Sequence, residues 1–215
     1  MKNFELSDTI YFELKKLFPD AICELNFKND YELMVAVVLS AQCTDKRVNQ
    51  VTPALFAKYP TFFDLANANI FDVEAIIKSC GFYHNKARNI IEASRQVCTK
   101  YNGKLPSTLE ELTTLAGVGR KTANVLLSNV FRIPSIAVDT HVFRVSNRIG
   151  LSKSNDVLDC ENQLMKNIRK ENWSEMHHLL VLFGRYYCKA RKPQCKNCVL
   201  IDVCKEGKKW NGKNL

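Results

Sequence analysis

Apolar residues recur at three- and four-residue intervals along almost the whole chain, and only 8 Gly and 6 Pro punctuate its 215 residues. That period marks one face of an α-helix, and so few turn-formers exclude a sandwich or barrel of many short strands. The pattern predicts an all-α protein with helices near 7–18, 31–40, 45–58, 61–69, 72–80, 85–101, 108–115, 120–131, 140–149, 156–170 and 174–187. Asp72 is expected to cap the fifth helix with Gly81 just past its end, and Asn102-Gly103 to close the sixth. Pro53 falls inside the third and should kink it or restart it after Thr52. No repeat, low-complexity tract or linker stands out, so composition marks no domain boundary.

The longest apolar run, Leu33–Leu39, suits a buried helix and falls far short of the roughly 20 residues a membrane span needs. The N-terminus, MKNFELSDTI, shows no apolar stretch followed by a small-residue cleavage site. A cytoplasmic protein without a secretion signal is the expectation. Lys and Arg total 31 against 22 Asp and Glu, a net charge of +9, which points to a polyanionic partner, nucleic acid first. Nine cysteines are an odd number, so complete intramolecular pairing is impossible and reduced thiols or metal ligation are expected.

Four of those cysteines, Cys188, Cys195, Cys198 and Cys204, fall in the last 28 residues with the spacing C-x6-C-x2-C-x5-C. Four thiolates can hold a tetrahedral zinc or an iron–sulfur cluster. Zinc ribbons usually pair two C-x2-C knuckles and only one is present, so the unequal spacing favours a [4Fe–4S] cluster held in a single loop. Such a cluster can act as a staple. The loop between its first two ligands reads KARKPQ, and Lys189, Arg191 and Lys192 there suit phosphate contact. The other five (Cys23, Cys43, Cys80, Cys98, Cys160) are expected to be small buried hydrophobes.

Residues 112–125 read LTTLAGVGRKTANV. Gly117-Val118-Gly119 would turn tightly between two helices, and free N–H groups at the second helix's start would bind phosphate without reading sequence. Arg120 and Lys121 follow at once. Lys121 is oddly placed, because the helix dipole disfavours an ammonium in a first turn. It is either a phosphate contact or, if dipole, Arg120 and partial burial together leave some neutral amine, a nucleophile. Asp139 would cap the helix running to Asn147, and an ionised carboxylate there also suits a developing sugar cation. His141 fits a core position, a phosphate contact or an acid–base group equally.

These segments together resemble the endonuclease III family of bifunctional DNA glycosylase/AP lyases in the helix–hairpin–helix superfamily. LSAQCTD (39–45), GFYHNKA (81–87), LAGVGRKTANV (115–125), AVDTHVFRV (137–145), HHLLVLFGRYYC (177–188) and the cysteine run appear in the family's order across essentially the whole chain. The resemblance implies a six-helix barrel over 23–133, a discontinuous [4Fe–4S] cluster domain from 1–22 and 134–215, and a DNA cleft between them. It implies Lys121 as nucleophile, Asp139 as the essential carboxylate, and action on double-stranded DNA with damaged bases or abasic sites; no extra dimer element stands out in the sequence, so a monomer is expected. Gln42 would enter the space left by a flipped nucleotide and the Gly81-Phe82-Tyr83 loop would wedge beside the opposite strand. The DNA-facing set becomes Gln42, Phe82, Gly117, Gly119, Arg120, His141, Arg144, Lys189, Arg191 and Lys192. A monofunctional mismatch glycosylase shares hairpin and cluster but lacks a lysine matching Lys121. Three positions depart from the family: Ala116 replaces a proline, which should loosen the hairpin, Phe82 replaces an aliphatic residue, and Pro53 interrupts a helix.

Overall fold

A computed structural model describes residues 4–207. Among them are eleven α-helices and two short 3-10 turns, and no strand. The chain divides into two compact units, one of residues 1–22 and 134–215, the other of residues 23–133.

The second unit holds α2 (Asp30–Ser40), α3 (Asp45–Lys58), α4 (Phe62–Ala66), α5 (Ile70–Ile77), α6 (Tyr83–Tyr101), α7 (Leu109–Leu112) and α8 (Arg120–Asn129). The apolar run makes α2 its centre: Leu33 through Leu39 are all buried, and α3, α6 and α8 pack around them. Helix starts are fixed by side chains. Asn29, Thr44 and Thr108 each accept from a backbone N–H three residues on, and Thr61 forms a reciprocal capping box with Asp64. Asn102 ends α6 in the left-handed conformation, and a Cβ at the following Gly103 would run into the Phe63 ring.

One local expectation fails, and one of the two alternatives for Pro53 is excluded. Asp72 is not a cap: Asn69 caps α5 and Asp72 sits within it, paired with Lys58 at 2.7 Å. The Asn69 amide oxygen simply competes better, because it reaches the Phe71 N–H at 2.9 Å. Nor does Pro53 restart α3, which runs unbroken through it from Asp45 to Lys58. Val48, Val51, Thr52 and Leu55 bury that helix's inner face, and packing outweighs the lost backbone bond.

The first unit holds α1 (Glu5–Leu17), α9 (Thr140–Ile149), α10 (Val157–Asn167) and α11 (Trp173–Tyr186). Ile10, Leu14, Val142, Val145, Met176, Leu179, Leu180 and Phe183 form its core. Glu175 joins α11 to α1 by accepting from Tyr11 Oη at 2.5 Å and pairing with Lys15. α9 and α11 cross where Gly184 has no side chain, since a Cβ there would stand 2.9 Å from His141 Cβ and 3.0 Å from Val145 Cγ2.

Beside Glu175, burial drops the His178 imidazole to about 4 although the carboxylate opposes it. Its folded value lies below the ordinary 6.5, so the native state is disfavoured as pH falls from 6.5 towards 4. Thermal midpoints measured across that range should decline, and His178→Asn should flatten the decline relative to wild type.

Candidate nucleic-acid interface

The hairpin is built from its two glycines, which do different work. Leu112, Leu115 and Val118 are buried and anchor the turn. Gly117 has φ +76°, and a Cβ on it would meet Asn89 Cβ at 2.9 Å, so the fold itself requires glycine there. Gly119 is the N-cap of α8 with extended backbone (φ −86°, ψ 175°), and nothing lies within 4 Å of where its Cβ would be. Nothing in the fold demands glycine at this second position. It leaves the start of α8 without a side-chain cap, and the first turn carries no acidic residue. An anion would meet N–H groups there that no N-cap side chain competes for.

Ala116 turns its departure from proline to use. Its backbone N–H, which proline lacks, donates to Gln96 Oε1 on α6 at 2.8 Å. The hairpin is therefore tethered rather than loosened. Arg120 and Lys121 are exposed at the start of α8. The expected partial burial of Lys121 does not occur.

In the same unit, Gln42 lies in the α2–α3 connection and Phe82 at the start of α6. Both non-glycine residues adopt positive φ, 52° and 57°, and Phe82 leaves 65% of its surface exposed. An aromatic ring in that state has neither packing nor backbone preference in its favour. The two loops meet: the Gly81 Cβ position is 3.5 Å from the Gln42 carbonyl oxygen.

In the other unit, Asp139 caps α9. Its Oδ1 accepts from the His141 and Val142 N–H groups, both at 2.8 Å. Oδ2 accepts no hydrogen bond from the described residues, so one oxygen is structural and the other is available.

Arg144, expected at the DNA, makes its hydrogen bonds within the protein. Its guanidinium donates to the Gly184 carbonyl at 2.8 Å, to the Cys188 carbonyl at 3.1–3.2 Å, to the Thr140 carbonyl at 3.3 Å and to His141 Nδ1 at 3.2 Å. It is a protein-facing clamp, and it draws half-buried His141 into the same network. Arg148, which sequence reasoning missed, repeats the device one turn later on the carbonyls of Lys189 (2.8 Å) and Ala190 (3.1 Å). The i, i+4 arginine pair was the available signal. Lys189, Arg191 and Lys192 are exposed on the loop so held.

Cys188, Cys195, Cys198 and Cys204 carry free thiols that influence one another electrostatically, with burial the main cause that pushes Cys195 and Cys198 up. Among the described residues no group of three or more His, Cys, Asp or Glu side chains has closed to metal-holding geometry. The donor chemistry nevertheless fits a thiolate-bound group. N–H groups point at three of the sulfurs: Arg148 Nη1 at Cys188 (3.6 Å), Leu200 N at Cys198 (3.4 Å) and Gly207 N at Cys204 (3.3 Å). Of the remaining cysteines, Cys80 and Cys160 are buried as expected, whereas Cys23, Cys43 and Cys98 are only half-buried. No helix among the described residues is long and apolar enough to cross a membrane.

Residues 35–170 match the HhH-GPD superfamily of base excision DNA repair proteins. The chain is 47% identical over 216 residues to endonuclease III of Bacillus subtilis, covering 100% of this chain and 99% of the relative. To endonuclease III of Escherichia coli K12 it is 42% identical over 195 residues, covering 91% and 92%. A solved structure described as a trapped endonuclease III–DNA covalent intermediate shares 50% identity and superposes with a TM-score of 0.91, covering 98% of this chain and 100% of the other. A thermostable thymine-DNA glycosylase, at 22% identity and a TM-score of 0.83 over 94% of each chain, shares the fold.

The two glycines should separate in stability measurements. Gly117→Ala should cost about 1–2 kcal/mol in denaturant unfolding, because L-residues resist the left-handed region. Gly119→Ser should be neutral or gain a few tenths of a kcal/mol, about the advantage of serine as an N-cap over glycine.

Proposed function

We propose that this chain, which belongs to the endonuclease III family of HhH-GPD superfamily base excision DNA repair proteins, releases oxidised or ring-saturated pyrimidines from duplex DNA and then cleaves the strand by β-elimination. It is a DNA glycosylase and AP lyase. The observation that carries the residue assignment is Lys121, an exposed amine in the uncapped, acid-free first turn of α8. A similar solved structure is described as a covalent endonuclease III–DNA intermediate. A covalent intermediate requires a nucleophile, and an amine at an anion-attracting turn is suited to a sugar flanked by phosphates.

The damaged nucleotide leaves the stack at a cost of a few kcal/mol, less for a poorly stacked lesion. Gln42 and Phe82 stabilise the opened duplex, which gives a use to their exposed, strained conformations. The N–H groups after Gly119 and the cations Lys189, Arg191 and Lys192 hold the backbone through phosphates, without sequence preference. The Lys121 amine attacks C1′, the base departs with a proton, and the sugar opens to an imine on Lys121. The imine acidifies the C2′ protons, and loss of one expels the 3′ phosphate. Asp139, through the oxygen its cap leaves available, stabilises positive charge on the sugar and assists proton transfer. Cys188, Cys195, Cys198 and Cys204 would hold a [4Fe–4S] cluster, which supplies a staple for the cationic loop.

Borohydride added during reaction with abasic duplex should give a one-to-one covalent adduct whose peptide map places the link at Lys121. Lys121→Gln should lose both adduct and strand cleavage while still binding abasic DNA; an adduct at another amine would refute the assignment. Asp139→Asn keeps the cap and should retain DNA binding within about tenfold, but lose most single-turnover excision, since only charge is removed. Anaerobically purified protein should contain about four irons, and one zinc with no iron would overturn the cluster assignment.

A further inference from the structure

One group of reactive side chains has no part in that reaction. Cys43 directly follows Gln42, and Cys80 is separated from Phe82 only by Gly81. Cys80 is fully buried, Cys43 is half-buried, and the two thiols are near enough to influence each other electrostatically. The backbones converge at the same place, where the Gly81 Cβ position lies 3.5 Å from the Gln42 carbonyl.

Lys86, in the first turn of α6, is only 5% exposed, and its Nζ has no hydrogen-bond partner. An unpaired ammonium out of water costs several kcal/mol, and leucine or methionine would fill the space without that cost. Its nearby counter-groups are the two thiols. Burial pulls Lys86 down while Cys43 and Cys80 oppose the shift. Burial likewise pushes the Cys80 thiol up, to about 11, against the opposing cations Lys86 and Arg47. A thiolate formed at the half-exposed Cys43 would neutralise the buried cation, and a cation beside a thiol is what makes it reactive.

We propose that Cys43 and Cys80 form a peroxide-reactive dithiol, with Cys43 attacking and Cys80 resolving, whose disulfide ties the Gln42 loop to the Phe82 loop. Cys43 loses its proton to solvent, and the thiolate attacks one oxygen of hydrogen peroxide. The O–O bond breaks, hydroxide leaves and is protonated to water, and Cys43 becomes a sulfenic acid. The Cys80 sulfur then attacks the Cys43 sulfur, the S–O bond breaks, and the departing hydroxide takes the Cys80 proton as a second water. Two thiols lose two electrons in all, and one peroxide is reduced to two waters. The sulfurs must close to a bond of about 2 Å. That draws on the two residues next to Gln42 and Gly81, so the loops lose the freedom to open around a duplex. This functional consequence rests on the DNA roles given above to Gln42 and Phe82; the chemistry does not.

The test treats the iron-loaded protein with a few equivalents of hydrogen peroxide, alkylates remaining thiols and maps unreduced peptides. A cross-linked pair containing Cys43 and Cys80 is expected, abolished by dithiothreitol and absent from Cys43→Ser and from Cys80→Ala. Lys86→Met should slow its formation roughly tenfold, the loss expected when a thiolate's counter-cation is removed. In parallel, nicking of abasic duplex under single-turnover conditions should fall at least roughly tenfold, as misplacement by an ångström can cost more than this. It should recover on reduction, and both cysteine variants should resist the same dose. Cys43 oxidised with no link to Cys80, an equal loss of nicking in the variants, or a disulfide that leaves nicking undiminished would each overturn the proposal. A protein that never nicks abasic DNA would sink the assigned function, while the peptide map would still decide the dithiol chemistry.

Discussion

The cationic loop exists in its present form because two arginines one helical turn apart take up one last-turn carbonyl of the helix before it and three carbonyls just past its end. Arg144 holds the carbonyls of Gly184 and Cys188, and Arg148 those of Lys189 and Ala190. Helix C-terminal carbonyls are orphaned acceptors, and a guanidinium satisfies them with both hydrogen bonds and charge. The arrangement needs α9 and α11 to approach closely, which Gly184 permits. It also leaves Lys189, Arg191 and Lys192 facing water, because the neighbouring carbonyls are already engaged. Asp139 completes α9 at its other end. One ten-residue helix therefore fixes a carboxylate at its start and a basic loop by its last turns.

The hairpin solves the same problem with backbone alone. A helix start that is to take a phosphate, the role proposed for this one, has to be bare, yet a bare turn is poorly fixed. Gly117 supplies the turn geometry against Asn89, buried Leu115 and Val118 anchor it, and Gln96 ties down the Ala116 N–H. Rigidity is thus placed on the side of the turn away from Gly119. The N–H groups of α8 stay open without becoming loose, and a serine at Gly119, though compatible with the fold, would fill them with its own hydroxyl.

Much of the fold was legible because it rests on local chemistry. The all-α class follows from period and from few glycines and prolines. Most helix starts follow from Asn, Thr or Asp at the cap, as at Asn29, Thr44, Thr61 and Asp139. The failures share a physical cause. Pro53 and Asp72 were judged by local preference, and in both cases neighbouring contacts decided the outcome. Gly117 and Gly119 look alike in sequence, and only their φ angles and surroundings separate a fold requirement from an open site. Arg144 carries the right charge for a phosphate, and only the structure shows that carbonyls 40 and 44 residues away engage it. Cys43 and Lys86 lie within the segments LSAQCTD and GFYHNKA, but nothing in those segments pairs them with Cys80, since pairing between separate loops is a tertiary fact.

Local rules are broken most densely at one place, the meeting of the α2–α3 and α5–α6 connections. Gln42 and Phe82 both occupy the left-handed region, which costs about 1–2 kcal/mol each for a non-glycine residue. Phe82 exposes an aromatic ring, and Lys86 buries an ammonium without a hydrogen bond. None of these choices stabilises the folded chain, and a glycine at either loop or an apolar residue at 86 would relieve the conflict. A fold this consistent elsewhere can carry such a concentration, because α2 and α6 on either side are long and well buried. Conflicts that persist together where two loops meet serve neither loop's stability, and the contacts proposed for Gln42 and Phe82 with an opened duplex would give them a use.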